Sequence, residues 1–166
     1  MKCLVFSDSH GSCAVMRKAL KAHPDAEVVF FLGDGLADAE KVACDFPDKA
    51  WIAVRGNCDY TSVFRDREAL KVEKITLNGV KIVLTHGDLY CAKYTSGVLK
   101  GLAMREGADI LLFGHTHNAT ELYISDADKP FYLFNPGSIG GYERSFGCIT
   151  IDNRGGVLMS HGVLER

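Results

Sequence analysis

The sequence predicts an α/β protein in which mixed β-sheets pack together and helices cover the outside. Over the first two-thirds of the 166 residues, apolar runs of strand length alternate with segments of helical periodicity. The last third changes character, with short β-rich runs separated by turn residues. An alternating α/β half followed by an antiparallel half calls for mixed sheets rather than a purely parallel one.

Taken in order, residues 2–6 (KCLVF) read as a strand. Residues 12–23 read as a helix because Val15, Met16, Ala19 and Leu20 recur at helical spacing, with Ser12 placed to cap the first turn. Residues 26–32 form a second apolar strand, 37–46 a short helix and 49–55 a third strand. After a polar stretch, residues 73–87 contain two β-rich runs joined by Asn78-Gly79, a hairpin turn in which both positions need positive φ. Residues 95–107 read as a helix ending at Gly107, and 109–114 as a buried strand. Residues 120–126, 130–135, 145–152 and 157–165 read as antiparallel strands, the last two joined by a turn at 153–156.

Composition narrows the function. The chain is 47% hydrophobic and 24% charged with a formal net charge of −2, and its length suits one domain spanning 1–166. No basic run or basic excess points to nucleic acid or a membrane surface. The apolar start is too short for a signal peptide, and no run approaches the ~20 apolar residues of a membrane span, so the cytoplasm is the expected location. Six cysteines at 3, 13, 44, 58, 91 and 148 form no CxxC pair. They are expected to be reduced thiols, mostly small core residues.

The chemistry is written where strands end. LVFSDSHG, VFFLGDG, WIAVRGNCD, KIVLTHGD and ILLFGHTHN are each an apolar run followed at once by Asp, His or Asn beside glycine. Singly, each has an ordinary explanation as a turn former, a helix cap or a hydrogen-bonded histidine. Together they hold four of the six histidines. If the strands are neighbours, Asp8, His10, Asp34, Asn57, His86, His115 and His117 gather at the carboxyl ends of the sheet, where open α/β sheets bind ligands. Imidazole and carboxylate are ligands for first-row transition metals. In extended backbone, residues i and i+2 face one side, so Asp8 is expected to aim with His10, and His115 with His117. Seven donors suit two ions sharing a carboxylate.

The ordered set D8-x-H10, G33-D34, G56-N57, H86 and G114-H115-T116-H117 resembles the motifs of the calcineurin-like metallophosphoesterases. The short length, GNCD at 56–59 and NPGS at 135–138 make it most similar to the small bacterial and archaeal phosphodiesterase branch, which is related to the phosphoesterase-like subunit of retromer. The resemblance implies a four-layer α-β-β-α sandwich and two divalent transition-metal ions, Mn foremost, with Fe, Zn, Co or Ni as other candidates. Asp8, His10 and His117 would hold one ion, Asn57, His86 and His115 the other, and Asp34 would bridge them. A bridging hydroxide would then attack phosphorus in line, with Asp34, Asn57 and His86 closest to the chemistry.

Around that centre, Arg144 either grips a phosphate oxygen or is a solvated loop arginine, the sequence supporting both equally. Asp38 stands where it could orient a ligand histidine or supply charge at a helix N-terminus, and Asn135 and Ser138 are expected to shape a turn and support His10 or His117. Tyr60, Tyr94 and Tyr142 lie in loops expected to line the pocket. Many family members carry a histidine after the Asn, thought to protonate the leaving group; here Cys58 takes its place as a possible acid. Losing the imidazole favours substrates with good leaving groups, hence small phosphodiesters of acidic alcohols or phenols. The alternative is a metal-braced protein-binding module like the retromer subunit. A pure scaffold needs no full ligand set, and here all seven positions are filled.

Overall fold

The computed structural model describes residues 1–165. Its elements are β1 (Lys2–Phe6), α1 (Cys13–Ala22), β2 (Val28–Phe31), α2 (Leu36–Asp45), β3 (Ala50–Ala53), β4 (Val63–Phe64), β5 (Arg67–Glu68), β6 (Val72–Leu77), β7 (Val80–Thr85), α3 (Gly97–Glu106), β8 (Ile110–Phe113), β9 (Ala119–Ile124), β10 (Phe131–Pro136), β11 (Ser145–Ile151) and β12 (Val157–Val163).

Two five-stranded sheets, ordered β12-β11-β1-β2-β3 and β6-β7-β8-β10-β9, carry the fold. In the first, β1, β2 and β3 run parallel while β11 and β12 pair antiparallel. In the second, β7, β8 and β10 are parallel, flanked by antiparallel β6 and β9. Both sheets are mixed, as the change in sequence character foretold.

Strand alternation sorts the core into three layers. Leu4 and Phe6 of β1 face outward onto Met16, Leu20, Leu36 and Val42 of α1 and α2. Cys3 and Val5 face inward, joining Phe30, Ile82, Leu84, Leu112 and Ile149 between the sheets. On the far side, Val83, Leu111 and Leu133 pack against Leu99 and Leu102 of α3. Helix, sheet, sheet, helix is the four-layer order that the family resemblance implied.

Most expected elements form, with ends displaced by a few residues. The polar stretch after β3 also holds the two-residue hairpin β4–β5, which is too short to show a period-2 pattern. Ser12 precedes α1 but makes no capping bond with its side chain, because its backbone (φ −88°, ψ 46°) lies outside the extended region an N-cap adopts. Gly107 ends α3 in the left-handed conformation, as the sequence indicates. All six cysteines are free. Cys13 and Cys148 pack half-buried against the core, and the expectation of core placement fails for the three exposed ones. Cys3 is buried, its thiol pushed up to about 12 by burial, whereas Cys44, Cys58 and Cys91 are exposed. Among the described residues, no helix is long and apolar enough to cross a membrane.

Candidate metal centre

The exits of β1, β2, β3, β7 and β8 meet at one end of the sandwich and bind one another through the backbone. The N–H groups of Asp8 and Ser9 donate to the carbonyls of Gly33 and Asp34 (both 3.0 Å), and the Gly114 N–H donates to the His86 carbonyl (3.0 Å). Hydrophobic sheet pairing thus brings polar loops from distant parts of the sequence into contact.

Two clusters result. Asp8, His10 and His117 offer ligand atoms that all lie within 4.8 Å of one another, and so do Asp34, His86 and His115. The expectation that His115 and His117 aim together is therefore corrected: they belong to different clusters. The reason is local. Asp8, His10, Asp34, His115 and His117 all have positive φ, between 41° and 66°, so these turns are not extended and alternation does not apply. Non-glycine residues held there store backbone strain, which persists where surrounding structure enforces it and gathers at functional sites.

In the first cluster, Asp8 is fully buried at the end of β1. Its Oδ2 accepts from the Ser7 hydroxyl and the His115 N–H, while the buried Oδ1 accepts no hydrogen bond. That Oδ1 faces His117 Nε2 at 3.1 Å and His10 Nε2 at 3.9 Å. The two imidazole nitrogens lie 3.4 Å apart. An orphaned buried carboxylate oxygen between two imidazoles fits a cation.

The second cluster is deeper. His86 Nδ1 lies 2.7 Å from the Leu32 carbonyl, which can only accept, so this nitrogen carries the proton. Nε2 then points at two further oxygens, Asn57 Oδ1 at 3.2 Å and Asp34 Oδ2 at 3.3 Å. A neutral ring would place three acceptors together, a conflict that a second ring proton or a bound cation resolves. Burial works against charging His86, yet the hydrogen bond to Asp34 and the charges of Asp8 and Asp34 raise its pKa. For Asp34, burial opposes ionisation and is outweighed by the bonds from His86 and the Cys58 N–H, leaving the carboxyl well below the usual range. His115 is shifted down, by burial first and then by the neighbouring His86 and Lys93.

One residue that sequence reasoning left unassigned holds this region together. The Asp59 carboxylate accepts from four backbone N–H groups, those of Asp34 (2.9 Å), Gly35 (2.7 Å), Leu36 (2.8 Å) and Gly56 (2.8 Å). It ties the exit of β2 to that of β3 and sits at the N-terminus of α2, where the helix dipole favours an anion. Gly56 is required between them, because a Cβ there would collide with Asp34 Oδ1. The acidic end of GNCD was the available clue.

The other supporting residues are placed with some changes. Asp38 does not orient a histidine; its Oδ2 accepts from the Ser9 hydroxyl (2.8 Å) and the Gly11 N–H (2.7 Å), fixing the turn that carries His10. Asn135 Nδ2 donates to the Gly114 carbonyl (2.8 Å) and Thr116 Oγ1 (3.1 Å), holding the loop of His115 and His117. The Ser138 hydroxyl donates to the Asp8 carbonyl (2.8 Å). His161, outside the clusters, stacks on Phe134 and bonds the Asn135 carbonyl. Asn57 and Cys58 are exposed at the mouth, and Asn57 Nδ2 lies 3.1 Å from the Cys58 sulfur. Arg144 is half-buried at φ 51°, its carbonyl bonded to the Leu164 N–H, in the loop that packs on Asp8 through Gly140 and Ser138.

A two-sheet sandwich with acid–imidazole clusters at its carboxyl-end loops has the form of a metal-binding hydrolase. The chain belongs to the calcineurin-like phosphoesterase superfamily, whose domain model matches residues 1–154. It is 30% identical over 158 residues to the probable metallophosphoesterase YsnB of Bacillus subtilis, covering 92% of this chain and 86% of that one. The fold is shared with a solved archaeal phosphodiesterase (24% identity, TM-score 0.74, covering 99% of this chain and all of the other). It is also shared with Vps29 of Entamoeba histolytica complexed with zinc (22% identity, TM-score 0.75, covering 98% of this chain and 99% of that one).

Proposed function

We propose that this metallophosphoesterase is a phosphodiesterase built as a single domain over residues 1–166, working in the cytoplasm with two divalent ions, manganese foremost. Asp8, His10 and His117 would hold one ion, Asn57, His86 and His115 the other, with Asp34 shared. The observation that carries this reading is the pairing of two acid–imidazole clusters, one with an orphaned buried oxygen and one with acceptors facing acceptors. When bound, such an ion pair supplies charge neutralisation for a phosphoryl group and a nucleophile drawn from water at neutral pH.

The chain's own groups supply position and protons. His86 is fixed in one tautomer by Leu32, which keeps Nε2 aimed into the centre. The Cys58 thiol is pushed up, first by its hydrogen bond with Asp34 and then by burial, and would serve as the proton donor to the departing group. Arg144 is offered as a phosphate contact from the 137–145 loop. A thiol is a weaker proton source near neutrality than an imidazole, so esters with acidic leaving groups should react best.

Protein stripped of metal and reloaded with Mn²⁺ tests this on bis-(p-nitrophenyl) phosphate against the monoester, with bound metal counted on the same sample. Two ions per chain with faster diester turnover are expected. Two ions with neither ester turned over would favour a metal-braced binding module, a reading that the shared fold with Vps29 keeps in view.

A further inference from the structure

Beside the paired clusters lies a cavity of about 280 Å³ with walls from two elements. One wall is the first turn of α2 with Gly35, Ala37 and Asp38, and the other is the segment from Cys58 to Thr61; His10 and Asp34 form the inner end. It is smaller than the ~300–1,000 Å³ that holds a drug-sized ligand, and leaves room for one ring and little more.

No lysine or arginine lines the cavity, while three carboxylates do: Asp34, Asp38 and Asp59. Their oxygens are bonded inward. Asp38 holds Ser9 and Gly11, and Asp59 holds four backbone N–H groups. The Thr61 hydroxyl is likewise engaged with Val63. These walls therefore read shape and charge rather than a hydrogen-bond pattern. Ala37 leaves the α2 wall open because its side chain is small, and the Tyr60 ring stands fully exposed on the opposite wall.

We propose that this cavity is the subsite for the second ester arm and that it selects a compact, uncharged, ring-bearing group while rejecting an anionic one. The inference rests on the phosphodiesterase reading for its reaction, but the subsite itself is a statement about binding. Away from the ions that His10 and Asp34 would hold at the inner end, a further phosphate or carboxylate on that arm would lie against Asp38 and Asp59, with no lysine or arginine in the walls. A planar neutral ring would lie between Tyr60 and Ala37.

The test uses Mn²⁺-loaded protein, with metal counted on every sample, and two slowly reacting diesters, diphenyl phosphate and phenyl 4-carboxyphenyl phosphate. Calorimetric binding should favour diphenyl phosphate by about tenfold. Ala37→Lys should shrink that gap to about twofold or less, because it adds the missing cation. Tyr60→Ala should weaken diphenyl phosphate binding ~3–10-fold. Equal binding of the two diesters, or a gap that Ala37→Lys leaves intact, would overturn the subsite. Turnover is read separately with 4-nitrophenyl phenyl phosphate. If it is not hydrolysed while the binding preference and its response to Ala37→Lys stand, the hydrolase reading falls and the subsite survives.

Discussion

The two acid–imidazole clusters use the same residue types and differ in solvation. His86 is fully buried and held by Leu32, with Asp34 and Asn57 facing its other nitrogen. His10 and His117 are 41% and 46% exposed. A cation entering the buried cluster would meet His86 and Asp34 already held by hydrogen bonds, whereas in the open cluster it would have to order two exposed imidazoles, at a cost in side-chain entropy. The protein itself fixes His86 and Asp34 in one half of the centre and leaves both imidazoles of the other half exposed.

The largest expected effect would come at the residue assigned to both halves. Asp34→Asn removes a carboxylate held ionised by His86 and the Cys58 N–H. It should release both ions and lower diester turnover by about a thousandfold or more. Metal counting on the purified variant decides: loss of one ion with the other retained would assign Asp34 to the buried cluster alone.

Next comes the order of filling. Titrating Mn²⁺ into stripped protein should give two phases separated by about tenfold or more in affinity. His86→Ala should remove the tighter phase and His117→Ala the weaker. One phase of uniform affinity would erase the distinction between the clusters.

How this contrast was legible in the sequence depends on what each feature requires. The seven donors were visible because each terminates an apolar run, and strand ends are set by hydrophobic pattern. The mixed sheets were visible for the same reason. The grouping of His115 with His86 rather than with His117 was legible only through the family resemblance and not through periodicity, since φ of 66° and 62° at the two histidines places them outside any periodic rule. The role of Asp59 was hidden because its four partners are backbone N–H groups, which every residue except proline has and no sequence pattern marks. The two-residue strand β4 packs beside α2 and pairs with β5, and neither is long enough to show a pattern of its own.

Asp59 yields the third prediction. Asp59→Asn keeps the size but presents an amide donor to backbone donors, so part of the four-bond hub must be lost. We expect a destabilisation of ~2–4 kcal/mol and a ~10–100-fold weaker tight phase, with the weak phase much less affected. Urea unfolding of the stripped protein measures the first and calorimetric Mn²⁺ titration the second. Equal weakening of both phases would show that Asp59 serves the whole centre and not chiefly its buried half.

The smallest effect should come from the corresponding support under the open cluster. Ser138 is buried and donates one neutral hydrogen bond to the Asp8 carbonyl, whereas Asp59 makes four charge-assisted ones. Ser138→Ala leaves that acceptor short of a partner, although the Gly140 N–H also donates to it at 3.1 Å. The remaining bond limits the damage to about 1 kcal/mol, or ~2–4 °C in Tm for a chain of this size. Because His10 and His117 are already exposed, the same change should weaken the weak Mn²⁺ phase by only a few-fold. A loss as large as that in Asp59→Asn would mean that the open cluster is held as rigidly as the buried one, and its lower affinity would then need a cause other than the ordering of its imidazoles.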